Sequence, residues 1–404
     1  MTRSHGLRSA AQERAAGQVG QPGREVDSGR ALAALAAAAL IGSAGNLTLP
    51  LWLGAVVEGL GAAERDAALV GSAELGCLAA ASLLVAPRVE RLSRRALVLA
   101  GALLLSLGHA AAALAPSLVT LAAARSVAGL GAGLVMAAAN ATAAGATLPE
   151  RVYALMFVLG GAGCAVLMLV LPRAIASWGT AGAFGALLAA TLLAGPLLAW
   201  MPARPPPGDN PPARGLPWRP AVAAALAASL IVMVGVDALW TFAERIGRGA
   251  GVERGAIGLV LAVASLAVLG AAALASWLGL RLGRVAPLCL GFGLAVAASL
   301  VLGQARSPGV WVGAVLVLGP AFYFTQPFMM GTMAALDPYG RVTTTGGAAM
   351  TVGAALGPAV GGLLAAGERY ARLGWLGAAC GLASLALIGG AALAAGRARA
   401  PGLT

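Results

Sequence analysis

Along the 404 residues, apolar runs alternate with short polar segments, and a run of about 20 residues spans a bilayer as an α-helix. Twelve runs meet this length, at 31–57, 66–86, 96–114, 117–147, 152–172, 180–200, 220–242, 255–279, 285–304, 309–335, 343–365 and 373–396. The longer ones leave room for tilt or an interfacial turn. The longest interior polar segment, Met201 to Pro220, divides them six and six. Its prolines cannot continue a helix and favour an extended connection. The pattern predicts an all-α integral membrane fold with twelve transmembrane helices. Its parts are a tail at 1–30, a first half at 31–200, a linker at 201–219, a second half at 220–396 and a tail at 397–404.

Composition agrees, with 59% hydrophobic and 10% charged residues against roughly 45–50% and about 25% in a soluble domain. The surplus apolar surface faces lipid, and the 58 Gly suit helices that pack closely without a hydrophobic force between them. All 27 basic residues are Arg: 18 lie in the tails and on the linker side of the runs, eight on the other side, and Arg125 within a run. That bias predicts a cytoplasmic linker and cytoplasmic termini in an inner-membrane protein. The net charge of +12 is scattered through these short segments, which points to lipid rather than nucleic acid. The first run is too long for a signal-peptide core, so the first helix is expected to be retained. All eight Trp fall near predicted helix ends, as an interfacial belt requires. Cys77, Cys164, Cys289 and Cys380 lack paired spacing and read as small buried residues. With His5 in the tail and His109 in an apolar run, no metal cluster and no cofactor is expected.

Three motifs carry a resemblance. Between runs 2 and 3, Ala86 to Arg95 reads A-P-R-V-E-R-L-S-R-R, which resembles the G-x-x-x-D-R-x-G-R-R signature of the major facilitator superfamily. Glu90, Arg91, Arg94 and Arg95 match its charges, while Ala86 and Ser93 replace its glycines. Arg125 with Gly129, Gly131 and Gly133 resembles the family's R-x-x-x-G-x-G motif on the helix lining the central cavity. Gly353, Gly357, Pro358, Gly361 and Gly362 resemble G-x-x-x-G-P-x-x-G-G, which the family's antiporters carry in helix 5 and this chain carries in run 11. The resemblance implies pseudo-symmetric halves, a monomer working by alternating access, and kinship with drug and solute exporters. It also implies that the loop of Glu90, Arg91, Arg94 and Arg95 holds the inner gate, with Arg151 within reach. Read as structure alone, the loop is a topology signal and the glycines are packing elements.

Charged residues deep inside the runs are Glu74, Arg125 and Asp237, and intramembrane ionisable groups mark functional sites by default. Glu74 and Arg125 each lie eight positions from the end of their run away from the linker, about 12 Å deep, so they can pair if their faces meet. Asp237 lies nearer the end of run 7, on one face with Trp240 and Glu244, where it serves as a proton carrier or sits hydrated at the interface. Asn46, Trp240, Tyr323, Phe324 and Gln326 are candidates to line a solute cavity, with Pro320 and Pro327 weakening the helix around the last three. The leading expectation is proton-coupled export of a small organic solute. The alternatives are a facilitator or importer of an organic anion with Arg125 as counter-ion, and a transporter-like receptor or assembly protein that moves nothing. No nucleophile–base pair, metal cluster or phosphate loop suggests an enzyme.

Overall fold

The computed structural model describes residue 26 and residues 28–85, 92–144, 146, 149–203, 218–278, 281–337, 341–367 and 369–399. These form thirteen α-helices: α1 Gly29–Leu47, α2 Leu49–Leu60, α3 Glu64–Val85, α4 Arg94–Ala113, α5 Leu118–Ala144, α6 Pro149–Leu198, α7 Pro220–Thr241, α8 Ala243–Gly249, α9 Arg254–Leu278, α10 Val285–Gly303, α11 Pro308–Leu336, α12 Arg341–Ala365 and α13 Ala371–Arg399. Eleven are long and apolar enough to cross a membrane.

One of the eleven, α6, carries a 41-residue apolar stretch, about twice what a bilayer needs. Gly179 breaks it at φ 56° and ψ −136°, a conformation glycine reaches because it has no Cβ to clash. The chain reverses there: a Cβ on Gly182 would strike the carbonyl of Ala174, which a straight helix would put about 12 Å away. Helix α6 is therefore two passes, which brings the spans among the described residues to twelve.

The first span departs from the sequence reading, which predicts one continuous run at 31–57. It divides at Thr48 into α1 and α2, with Pro50 in the first turn of α2. Proline has no N–H to give the carbonyl four residues back, here that of Asn46, and its ring crowds that carbonyl. The break is used: the Gly45 carbonyl accepts from Trp52 Nε1 at 2.9 Å, and that of Leu47 from Trp240 Nε1 at 3.2 Å.

Helix pairings repeat between the halves. In the first half α1 packs on α6, α3 and α4 on α5, and α4 on α6; in the second α7 packs on α12 and α13, α9 and α10 on α11, and α10 on α13. The halves meet through α3 against α12 and α6 against α9, which exchange under the same symmetry. Glycine sets the closest of these approaches. Cβ atoms at Gly353, Gly357 and Gly361 would all strike α7, with Gly357 meeting the Asp237 Cβ at 2.6 Å, so a four-residue glycine stripe lays α12 on α7. Gly357→Val should push the two helices apart at a cost of about 1–3 kcal/mol, read as a lower unfolding midpoint of the purified protein.

The buried core reports which side is shut. Near the linker it forms two separate clusters, one per half, including Leu35, Val135 and Met201 in the first and Val222, Phe292 and Met329 in the second. On the face away from the linker, called the far face below, a single cluster runs through both halves, from Leu53 and Phe184 to Phe242 and Trp311. The halves are fused at the far face and separately packed at the linker face.

Candidate functional site

Arg125, Gly129 and Gly133 lie on one stripe of α5 by four-residue spacing. Cβ atoms at Gly129 and Gly133 would collide with the backbone carbonyls of Glu74 and Leu78, so the bare glycines let α3 lie against α5 and bring Glu74 to Arg125. Gly131 faces the other way, against Gly101 and Leu105 of α4. The pair is bidentate: Arg125 Nε donates to Glu74 Oε2 at 3.0 Å, and Nη2 contacts Oε1. Nη1 lies 2.8 Å from His109 Nδ1 on α4. Guanidinium has donors only, so Nδ1 accepts and the imidazole is neutral, with its proton on Nε2.

Aromatic rings complete this cage, with the guanidinium carbon 5.3 Å from the Trp52 ring centre and 5.1 Å from that of Phe184. Arg125 has no solvent exposure and Glu74 has 3%. Gly45 on α1 faces the pair, and a Cβ there would strike Glu74 Oε1. The two charges offset each other where neither meets water, which makes the cluster a rigid, electrically balanced unit of the first half.

Asp237 contrasts with it. The side chain is buried, with 4% exposure, which removes the alternative that it sits hydrated at the interface. Asn46 of the first half lies beside its carboxyl. The Asp237 Oδ2 and Asn46 Oδ1 atoms are buried without a partner, and among the described residues no cation pairs with Asp237. Tyr323 of α11 packs against the core of the second half, its ring 5.1 Å from that of Phe322. Asp237, Asn46 and Trp240 thus come together where the break in span 1 meets α7.

The remaining candidates separate. Phe324 is buried in the second half, 5.6 Å from Phe328, with Gly291 against its ring. Gln326 turns toward Met350, its Nε2 3.7 Å from Sδ. Of the linker-side loop, Glu90 and Arg91 lie outside the described residues, as does the side chain of Arg151. Arg95 Nε donates to the Met201 carbonyl at 2.9 Å, and the Arg94 amide to that of Ala203 at 3.2 Å. In this conformation both residues hold the start of the linker to their own half.

Two further expectations are corrected. Trp52 and Trp311 are fully buried because each indole N–H has an internal carbonyl, Trp311 donating to Ala243 at 2.9 Å. They are core anchors, whereas Trp178, Trp200, Trp218, Trp277 and Trp375 are exposed as a belt requires. Among the cysteines, Cys164 is buried but Cys289 is exposed, since an apolar side chain is equally at home against lipid.

Sequence reading missed the clasp on the far face. Glu58 and Glu64 of the first half meet Arg245, Arg248 and Arg254 of the second. Arg245 Nε lies 2.6 Å from Glu64 Oε1, Tyr370 Oη donates to the same oxygen at 2.7 Å, and Glu58 is shared by Arg248 and Arg254. The signal was present: three Arg in the segment after run 7 oppose the charge bias, and their counter-charges stand at either end of the segment after run 1. Beside the clasp, Glu244 on α8 is 4% exposed. Burial pushes its carboxyl up to about 7, against the pull of Arg248 and Arg245.

Residues 33–346 match the Major Facilitator Superfamily, more than three quarters of the chain and most of both halves. Among curated proteins, none matches the chain.

Proposed function

This chain belongs to the Major Facilitator Superfamily, whose members are secondary transporters of small molecules in lipid bilayers, and from that premise we propose that it exports a small organic solute from the cytoplasm in exchange for protons. The carrying observation is Asp237: a carboxyl buried between the halves, with one oxygen unpartnered and no cation beside it among the described residues. Charge there has no cation to offset its burial among the described residues, whereas at Glu74 it has Arg125. A proton on Asp237 removes that charge. Rocking of the halves would then present Asp237 to each side in turn, as alternating access requires. Asn46, Trp240 and Tyr323 are the proposed solute contacts; Gln326 lies further along α11. The Glu74–Arg125–His109 cluster positions the first half and carries no proton in this reading.

Purified protein in proteoliposomes should move solute from a panel of organic compounds when a pH gradient is imposed, with internal pH rising or falling in step. Solute flux that ignores the gradient throughout the panel overturns proton coupling and favours the facilitator reading. Orientation is tested separately, with the linker proposed to be cytoplasmic. Single cysteines at Ser93 and Ser307, in a background without native cysteines, should react with an impermeant thiol reagent from opposite sides of an inner-membrane vesicle, Ser93 from the cytoplasmic one. Labelling of both from one side would contradict the topology.

A further inference from the structure

Glu244 has no part in the proposed proton pathway, yet its setting is unusual. It sits on the short helix α8, and a Cβ on Gly54 of α2 would lie 2.6 Å from its Oε2, so the carboxyl is pressed against the opposite half. Oε2 is buried without a partner, while Oε1 lies 3.9 Å from Arg248 Nε, beyond hydrogen-bond reach. A cavity of about 10 Å³ opens beside it, lined by Leu51, Gly54 and Ala55 of α2, Pro172 and Ile175 of α6, and Arg254. That is room for about one water molecule.

The charged groups facing Glu244 are few. Its own helix supplies Arg248 and Arg245, α2 supplies Glu58, and α9 supplies Arg254. Those arginines are already committed across the halves, Arg248 and Arg254 to Glu58 and Arg245 to Glu64. From α11, which also packs on α8, the contact is the Trp311 ring on Gly247, apolar at that point. An ionised Glu244 in the shut far face would therefore be a buried charge whose neighbouring cations serve other anions.

We propose that Glu244 is a proton-binding site of the far face, protonated while the halves are clasped and ionised when they part and water reaches it. Closure then takes up a proton from the far side, and acid on that side favours the clasped form. The upward push on this carboxyl has the same sign: the shut state is favoured as pH falls through about 7 and loses that advantage above it. The site is separate from Asp237 and needs only that the halves rock.

The test is an inter-half distance measurement on the full chain in nanodiscs, with spin labels at the exposed positions Ala63 and Ser307. From pH 6 to pH 8 the ratio of short to long distances should fall about tenfold, as a group near 7 in one state and at the ordinary glutamate value in the other dictates. Glu244→Gln, neutral at every pH, should hold the short distance throughout. The distances are read with no solute and no pH gradient across the membrane, so their outcome is separate from that of the flux assay on which the transport reading stands. Gly54→Ala, whose methyl group would strike the carboxylate, should favour the long distance at both pH values. Difference infrared spectra give an independent readout, because the protonated-carboxyl stretch gained on acidification should shrink in Glu244→Gln. A wild-type distribution unchanged between pH 6 and pH 8, or a Glu244→Gln protein that titrates like wild type, overturns the proposal.

Discussion

Asp237→Asn is expected to abolish pH-driven accumulation of solute in proteoliposomes while leaving solute-for-solute exchange in place. Asparagine keeps the size and the polarity but cannot exchange a proton, so the halves still rock and the gradient no longer drives them. Internal solute should settle at the external concentration instead of above or below it, a complete loss of the concentrative component. Trp240, which reaches the Leu47 carbonyl from the same helix, and Gly357 against the Asp237 Cβ fix this part of α7, so the substitution should not disturb packing. Full pH-driven transport by Asp237→Asn would remove Asp237 as carrier. If Glu74→Gln then lost it without losing stability, the proton would belong to the Glu74–Arg125 pair.

Glu74→Gln is expected to fail differently, by destabilising the first half. It leaves the Arg125 guanidinium, which has no solvent exposure, without its counter-charge, and removing one partner of a buried ion pair costs about 3–5 kcal/mol. That is a large share of the roughly 5–15 kcal/mol that holds a folded protein together. The Trp52 and Phe184 rings soften the loss without replacing an anion. Yield and unfolding midpoint should both drop sharply. Replacing both charges together, as Glu74→Leu with Arg125→Met, should recover most of the lost stability, because no bare charge remains. A single Glu74→Gln variant as stable as wild type would mean that water reaches the pair, and the cluster could no longer be regarded as structural.

Much of this architecture was legible in the chain because the bilayer is a severe solvent. Backbone polar groups must be satisfied inside each segment, so twelve apolar runs with a central polar linker specify twelve helices in two halves. Depth along a helix follows from counting residues, which put Glu74 and Arg125 on one level. The motif glycines, Gly129, Gly131 and Gly133 in one run and Gly353, Gly357 and Gly361 in another, were legible as packing elements. None of this depends on which helix is the neighbour.

What the tertiary structure decided is every matter of partnership across distant segments. His109 looked like a lone residue in an apolar helix until α4 packed on α5 and set it on Arg125. Asp237 could be read as a proton carrier or as hydrated, and its burial follows only from packing, with Gly357 of α12 laid against its Cβ. Phe324 and Tyr323 adjoin in sequence, yet helical geometry buries one within the second half's core and leaves the other partly buried at its edge. Glu58, Glu64, Arg245, Arg248 and Arg254 registered only as loop charges until the halves met. Hydropathy is a local property summed along one helix, so the sequence carries it directly. Pairing depends on helix rotation and on contacts between residues as much as 306 positions apart, as for Tyr370 and Glu64, and only the packed fold fixes those.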